Sequence, residues 1–158
     1  MNACTIAESV GKSAYPGRGI LAGKAPDGRL FLAYFIMGRS VNSRNRVFVP
    51  DGDGLRTQAF DPALLKDPSL VIYAPVRILG NNTIVTNGDQ TDTIADALKS
   101  GGSFESALNT RAFEPDAPNF TPRISAMAAV EGGDFSLRMG ILKSADPEGS
   151  SCCRFFYN

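Results

Sequence analysis

The sequence contains no histidine in 158 residues. This absence excludes Ser–His–Asp and Cys–His catalysis, and it removes the commonest zinc ligand found in proteins. We therefore expect no metal centre. Any general acid–base chemistry must use Glu, Asp, Tyr, Lys, Cys or an α-amino group.

Disulfides, membrane spans and a net charge are also missing from the sequence. The three cysteines, Cys4, Cys152 and Cys153, do not suggest a disulfide framework. No apolar run approaches the roughly 18 residues that a membrane-spanning helix needs, and the first residues lack the regions of a signal peptide. Sixteen basic residues balance sixteen acidic ones, so the charge predicts neither a nucleic-acid nor a membrane partner. We expect one cytoplasmic domain, residues 1–158.

Short turns between apolar runs predict an antiparallel α+β fold. Pro26-Asp27-Gly28 predicts a hairpin between strands at 18–24 and 29–37, because Pro presets φ and Gly accepts a positive φ. Glu131-Gly132-Gly133 predicts a second hairpin between strands at 123–130 and 134–143. Further strands are predicted at 46–50, 69–79, 82–86 and 152–157, with helices at 91–99 and 103–109. Strands that follow strands through short turns favour antiparallel sheets over βαβ units.

Two turn features and one loop refine this prediction. Pro75 within the 69–79 run implies an edge strand or a bulge, and Asn81-Asn82 suits the tight turn before the next strand. The segment 113–122 contains three prolines and is therefore predicted to be a loop.

An arginine-rich segment at 38–48 is the first candidate site. It holds Arg39, Arg44 and Arg46, interleaved with Ser40, Asn42, Ser43 and Asn45. In extended chain, Arg44 and Arg46 would project to the same side. Guanidinium groups with hydroxyls suit a phosphate or a carboxylate. A solvated basic loop explains this composition equally well.

Three further polar features are candidates. Tyr73 lies in an apolar run, where a half-buried strand tyrosine is the simpler interpretation. Asn87-Gly88 forms a turn before a helix, whose N-terminus favours an anion, although a plain turn is the alternative.

The third feature is the proline-set loop, which carries Glu114 and Asp116 before Thr121 and Arg123. A stiff loop can hold reacting groups in place, but a solvated acidic loop is the alternative interpretation.

Five segments, in this order, resemble blocks of the archaeal-type IMP cyclohydrolase family and its bacterial relatives. They are YPGRGI at 15–20, AYFIMGRSVNSRNRVF at 33–48, VIY at 71–73, IVTNGDQTD at 84–92 and FEPDAPNFTPRI at 113–124. Any one block is a weak signal, but five in register make a chance match improbable. The resemblance implies a four-layer αββα fold like that of the Ntn hydrolases, without their self-processing.

The resemblance also implies an activity, the dehydrating ring closure of 5-formamidoimidazole-4-carboxamide ribotide to IMP. Arg46, Tyr73 and Glu114 match the family's active-site arginine, tyrosine and glutamate. Substrate or phosphate contacts are implied at Arg39, Ser40, Ser43, Arg44, Asn87, Thr121 and Arg123. No metal, folate or other cofactor is implied. The expected partners are a small purine ribonucleotide and further copies of the chain.

Two other functions stay open, and so does the question of whether the natural chain is longer. Cys4 would be the nucleophile of an Ntn-type amide hydrolase if processing exposed it as a new N-terminus. A purine-nucleotide-binding paralogue would keep the pocket without this reaction. The chain stops within the apolar run at 155–158, so we expect either a truncated form or a partner strand from another subunit.

Overall fold

The computed structural model describes residues 5–158, so Cys4 lies outside the described residues. Within this range, no helix combines the length and the apolar character that crossing a membrane would need. The elements are α1 (Ile6–Val10), β1 (Arg18–Lys24), β2 (Leu30–Ile36), α2 (Val41–Arg44), β3 (Val47–Asp51), β4 (Gly54–Gln58), a 3-10 helix (Pro62–Leu64), β5 (Val76–Leu79), β6 (Asn82–Thr86), α3 (Gln90–Lys99), α4 (Phe104–Asn109), β7 (Arg123–Glu131), β8 (Asp134–Ser144) and β9 (Cys152–Tyr157).

The strands form two antiparallel sheets. β1 and β2 make a two-stranded sheet, and β3 to β9 make a seven-stranded sheet whose spatial order is the order of the chain. Every pair of neighbours is antiparallel. The predicted α+β class, both predicted hairpins and the two adjacent helices are therefore confirmed.

A hydrophobic core lies between helices α3 and α4 and one face of the seven-stranded sheet. The sheet contributes Ile84 and Leu142, and the helices contribute Ile94, Phe104 and Leu108, all fully buried. Burying each such side chain stabilises the fold by about 1.5–3 kcal/mol. This core fixes the N-terminal end of α3 against the ends of β6 and β7, where polar residues collect.

The two-stranded sheet covers the other face of the seven-stranded sheet, where β1 contacts β7 and β2 contacts β6. Because side chains alternate along a strand, Val85 points away from the helices when its neighbour Ile84 points towards them. Val85 lines a cavity of about 100 Å³ together with Leu32 and Tyr34 of β2. The described residues thus form three layers: helices, large sheet and small sheet.

Strand β4 was missed by the sequence prediction. The sequence Asp51-Gly52-Asp53-Gly54 is typical of a turn. The residues after it are largely polar and do not show a strand pattern, although they form the second strand of the β3–β4 hairpin. Gly54 lies so close to β5 that an added Cβ would stand 2.3 Å from the carbonyl oxygen of Val76. A glycine that signals a turn here also permits close strand contact.

Of the two predicted details near β5, the bulge agrees with the structure and the tight turn differs from it by one residue. Pro75 comes just before β5 instead of within a long strand. The four residues from Tyr73 to Val76 lie opposite the three residues from Leu55 to Thr57. The one extra residue on the first segment is typical of a bulge. The tight turn is Gly80-Asn81, one residue earlier than predicted, because Leu79 pairs with Asn82 and Gly80 adopts φ 56°.

Candidate active site

A buried ion pair lies where the small sheet meets the proline-set loop. Arg18, at the start of β1, places Nη1 2.6 Å from Oε1 of Glu114, and the side chains are 16% and 3% exposed. Arg18 was not among the predicted site residues. It shares a strand face with Ile20, and a charged side chain on an apolar strand face is expected to have a partner of opposite charge.

Two tyrosine hydroxyls meet beside this ion pair. The hydroxyl of Tyr34, on β2, lies 2.8 Å from the hydroxyl of Tyr73. The backbone of Tyr73 is held by Thr57, whose Oγ1 accepts from the Tyr73 amide at 2.8 Å and whose own amide donates to the Tyr73 carbonyl at 2.8 Å. Tyr34 was not selected from the sequence either, although it lies within the 33–48 block.

Burial and neighbouring charges set the protonation of these groups. Burial raises the pKa of Glu114 above its ordinary value, and the Arg18 guanidinium offsets part of that rise. Burial also raises the pKa of Tyr73, while the hydrogen bond to Tyr34 and the charge of Arg46 oppose the rise. Tyr73 is therefore a neutral hydroxyl at neutral pH, and Glu114 is a stronger base than an exposed glutamate.

Arg46 presents a guanidinium nitrogen that no protein group satisfies. Its Nε donates to the Ser43 carbonyl at 2.7 Å and its Nη1 to the Val71 carbonyl at 3.4 Å. Among residues 5–158, its Nη2 is buried and finds no partner. Buried polar groups are seldom left unpaired, so this nitrogen is suited to an oxygen atom of a ligand.

A polar cavity of about 250 Å³ opens beside these residues. It brings together most of the predicted contacts: Arg39, Ser40, Ser43, Arg46, Glu114 and Thr121. Arg39 stands half-exposed at the rim, where its Nη2 donates to Thr121 Oγ1 at 3.0 Å and its Nη1 donates to Asn119. Three guanidinium groups and three carboxylates therefore line one cavity: those of Arg18, Arg39 and Arg46, and those of Asp67, Glu114 and Asp116.

The interval 40–44 is not extended, as the sequence analysis assumed for Arg44. Ser40 and Ser43 form a capping box, and Val41–Arg44 form the single helical turn that follows Ser40. Arg44 consequently turns back, with its Nε donating to the Gly38 carbonyl at 2.7 Å. It lines a neighbouring cavity of about 280 Å³, which Arg46 shares.

Asn87 makes protein contacts, and Arg123 does so through Nη1, whereas the buried Nε of Arg123 has no partner among residues 5–158. Asn87 donates to the Pro122 carbonyl and accepts from the Ile124 amide, both at 2.9 Å, which ties the proline-set loop to the turn before α3. Arg123 is 5% exposed and donates from Nη1 to Asp89 at 2.6 Å. Asn87 also lines a cavity of about 410 Å³ next to the polar one.

Gly88 explains why this turn can approach the ion pair. An added Cβ at Gly88 would stand 2.6 Å from Arg123 Nη1 and 3.7 Å from Glu114 Oε1. A side chain there would have to displace the Arg123 guanidinium, so glycine lets the Asn87-Gly88 turn lie close to the ion pair.

Sequence comparison relates most of the chain to one protein family. Residues 15–153 match the model of a family described as IMP cyclohydrolase-like protein. The IMP cyclohydrolase of Methanopyrus kandleri is 39% identical over 115 residues, which cover 70% of this chain and 57% of that protein. The IMP cyclohydrolase of Methanococcus aeolicus is 34% identical over 120 residues, which cover 72% of this chain and 57% of that protein.

A longer match is found with the IMP cyclohydrolase of Methanococcus maripaludis strain C6. It is 30% identical over 136 residues, which cover 84% of this chain and 65% of that protein. The chain thus spans roughly three-fifths of the length of the curated relatives it matches.

Proposed function

Since this chain belongs to the IMP cyclohydrolase-like protein family, we propose that it catalyses the ring closure of 5-formamidoimidazole-4-carboxamide ribotide to IMP. The observation that supports this most strongly is that Glu114 and Arg46 line one polar cavity and that both of their charges act on the Tyr73 hydroxyl. The reaction needs a base, a hydrogen-bond donor and an anion site close together. It needs no bound cofactor.

Glu114 is proposed as the base. The carboxamide nitrogen of the substrate attacks the formyl carbon, and it must lose one proton as the new C–N bond forms. Burial raises the pKa of Glu114 and so strengthens it as a proton acceptor, while the Arg18 guanidinium opposes that rise and favours the ionised carboxylate. Both reacting groups belong to one substrate ring, so positioning contributes much of the rate.

Tyr73 and Arg46 are proposed to act on the formyl oxygen. Negative charge develops on this oxygen during attack, and it leaves as water with one proton from the carboxamide and one from the formamido nitrogen. A neutral tyrosine hydroxyl and the unpaired Nη2 of Arg46 are donors suited to that charge. Donors aimed at the transition state contribute more to kcat than to substrate affinity.

The substrate phosphate is proposed to bind in the 250 Å³ cavity near Arg39. Arg39→Ala should weaken IMP binding by about 1.5–3 kcal/mol, the usual contribution of a charge-assisted hydrogen bond. Isothermal titration calorimetry measures the change. Arg29→Ala is the matched control, because Arg29 is 82% exposed in the β1–β2 turn and pairs only locally with Asp27. Equal IMP affinity in both variants would show that the phosphate binds elsewhere.

Product analysis distinguishes ring closure from the amide hydrolysis that an Ntn-type enzyme would perform. Both reactions consume the formamido ribotide, but hydrolysis yields formate and the free amino ribotide, whereas ring closure yields IMP and water. Chromatography of the reaction mixture should show IMP as the product. Formation of formate in proportion to the substrate consumed would instead support hydrolysis.

Three further expectations, on layering, cellular location and self-association, accompany this proposal. We propose that the three described layers are part of a four-layer αββα, Ntn-hydrolase-like architecture, supported by two facing antiparallel sheets with helices on one outer face. We propose a cytoplasmic place of action, which the free thiols of Cys152 and Cys153 favour.

Self-association is proposed through the strand edges of β3 and β9, which lack a neighbouring strand within residues 5–158. Light scattering after size-exclusion chromatography tests this last point.

A further inference from the structure

Tyr34 approaches the candidate site from the apolar space between the two sheets. Its hydroxyl reaches only one described hydrogen-bond partner, the hydroxyl of Tyr73 at 2.8 Å. Its ring packs against Phe48, with ring centroids 5.8 Å apart. The cavity next to it is lined by apolar side chains: Leu32, Phe48, Leu55, Pro75, Val76 and Val85.

Tyr73 stands on the opposite, polar side of this hydrogen bond. The charges that act on its hydroxyl are those of Arg46, Arg18 and Glu114. One proton lies between the two hydroxyl oxygens, and the other hydroxyl proton must point elsewhere. If Tyr73 were the donor, the Tyr34 proton would point into apolar surroundings without a partner, at the cost of an unsatisfied buried donor.

The opposite arrangement leaves no such cost. When Tyr34 donates, its proton is satisfied by the Tyr73 oxygen, and the Tyr73 proton is free to point towards the side of Arg18, Arg46 and Glu114, which line the polar cavity. We propose that Tyr34 is a positioning residue that donates to Tyr73 and thereby aims the Tyr73 proton at the formyl oxygen of the substrate. This inference rests on the ring closure proposed above.

The protonation of the pair is compatible with this direction. Burial and the neighbouring Tyr73 raise the pKa of Tyr34 above its ordinary value although the charges of Arg18 and Arg46 oppose the rise, so Tyr34 keeps its proton at neutral pH. The hydrogen bond from Tyr34 lowers the pKa of Tyr73 relative to burial alone. Tyr34 therefore serves two purposes, since it orients the Tyr73 proton and makes it easier to share with a developing anion.

A double-mutant cycle tests the positioning role. Tyr34→Phe removes one hydroxyl and keeps the ring against Phe48. It should lower kcat about 3–10-fold, as expected for one neutral hydrogen bond, and leave KM and IMP affinity unchanged. In a Tyr73→Phe background the same substitution should change kcat by less than about 2-fold, because its effect passes through Tyr73. Equal effects in both backgrounds would overturn the proposal.

A second measurement does not depend on turnover. In protein labelled at tyrosine Cζ with carbon-13, the Tyr73 resonance should titrate at higher pH in Tyr34→Phe than in the wild type, or stay untitrated where the wild type has titrated. Arg18, Arg46 and Glu114 face Tyr73 in both proteins, so their influence is common. Tyr157→Phe, on β9, is the control, because Tyr157 is 53% exposed and belongs to no hydroxyl pair among the described residues.

An unchanged Tyr73 titration in Tyr34→Phe would contradict the hydrogen bond itself. If the wild-type protein failed to form IMP but the titration shifted as expected, the ring-closure proposal would fail and the tyrosine pair would stand. The two ideas are therefore separable.

Discussion

Glu114→Gln should lower kcat for ring closure by about 10²–10³-fold, within the range for loss of a positioned base. The amide keeps the size of the carboxyl group and removes the oxygen that accepts the proton. The substitution also removes the charge that Arg18 neutralises at 2.6 Å. IMP affinity should change much less than kcat, because we propose that the phosphate binds near Arg39, away from Glu114.

The pH dependence of kcat/KM adds a second test of this role. Since burial raises the pKa of Glu114, activity should fall as pH drops through that raised pKa, at a higher pH than an exposed glutamate would give. Glu114→Gln should lose this acid limb. Glu105→Gln, which alters a surface carboxyl paired with Arg138, should keep both the rate and the limb. A Glu114→Gln protein with normal kcat would show that the proton goes to another group.

Tyr73→Phe should lower kcat by about 10²–10³-fold, as the loss of one aimed donor does in other acyl-transfer sites. Tyr73 is 7% exposed, so the remaining ring keeps its packing, and the fold should be retained. KM should change little, because the formyl oxygen gains charge only as the bond forms. Steady-state kinetics and IMP titration together separate the two effects.

The opposite pattern would revise the role of Tyr73. If Tyr73→Phe retained kcat and lost only affinity, the hydroxyl would be a binding contact. Catalysis would then come mainly from holding a substrate that is predisposed to cyclise. Tyr157→Phe serves as the control for loss of a tyrosine hydroxyl as such.

Local signals predicted most of the strands and helices. Pro26-Asp27-Gly28 and Glu131-Gly132-Gly133 determine their hairpins within a few residues, and β6 and β9 have the predicted bounds. Ser103 caps α4 as its position before the apolar run suggested. Such features depend on the chemistry of neighbouring residues, so one sequence is enough to find them.

The parts that escaped prediction depend on contacts between distant segments. Arg18 and Glu114 are 96 positions apart in the sequence, and Tyr34 and Tyr73 are 39 apart. Neighbouring residues therefore do not identify the partner in either pair. Arg44 was misplaced for a local reason, the mutual capping of Ser40 and Ser43, which turns the chain into one helical turn. The resemblance to a family pointed to Tyr73 and Glu114, but their partners on β1 and β2 follow from the packing of the small sheet against the proline-set loop and the segment before β5.

The rate of IMP formation by the purified chain tests the central claim most directly. Ultraviolet absorbance follows conversion of the formamido ribotide to IMP, with the uncatalysed reaction measured alongside. The wild-type chain should accelerate IMP formation, whereas the protein that carries both Glu114→Gln and Tyr73→Phe should bind IMP without accelerating its formation. A wild-type rate equal to the uncatalysed rate, with IMP still bound, would contradict the claim and identify a nucleotide-binding paralogue.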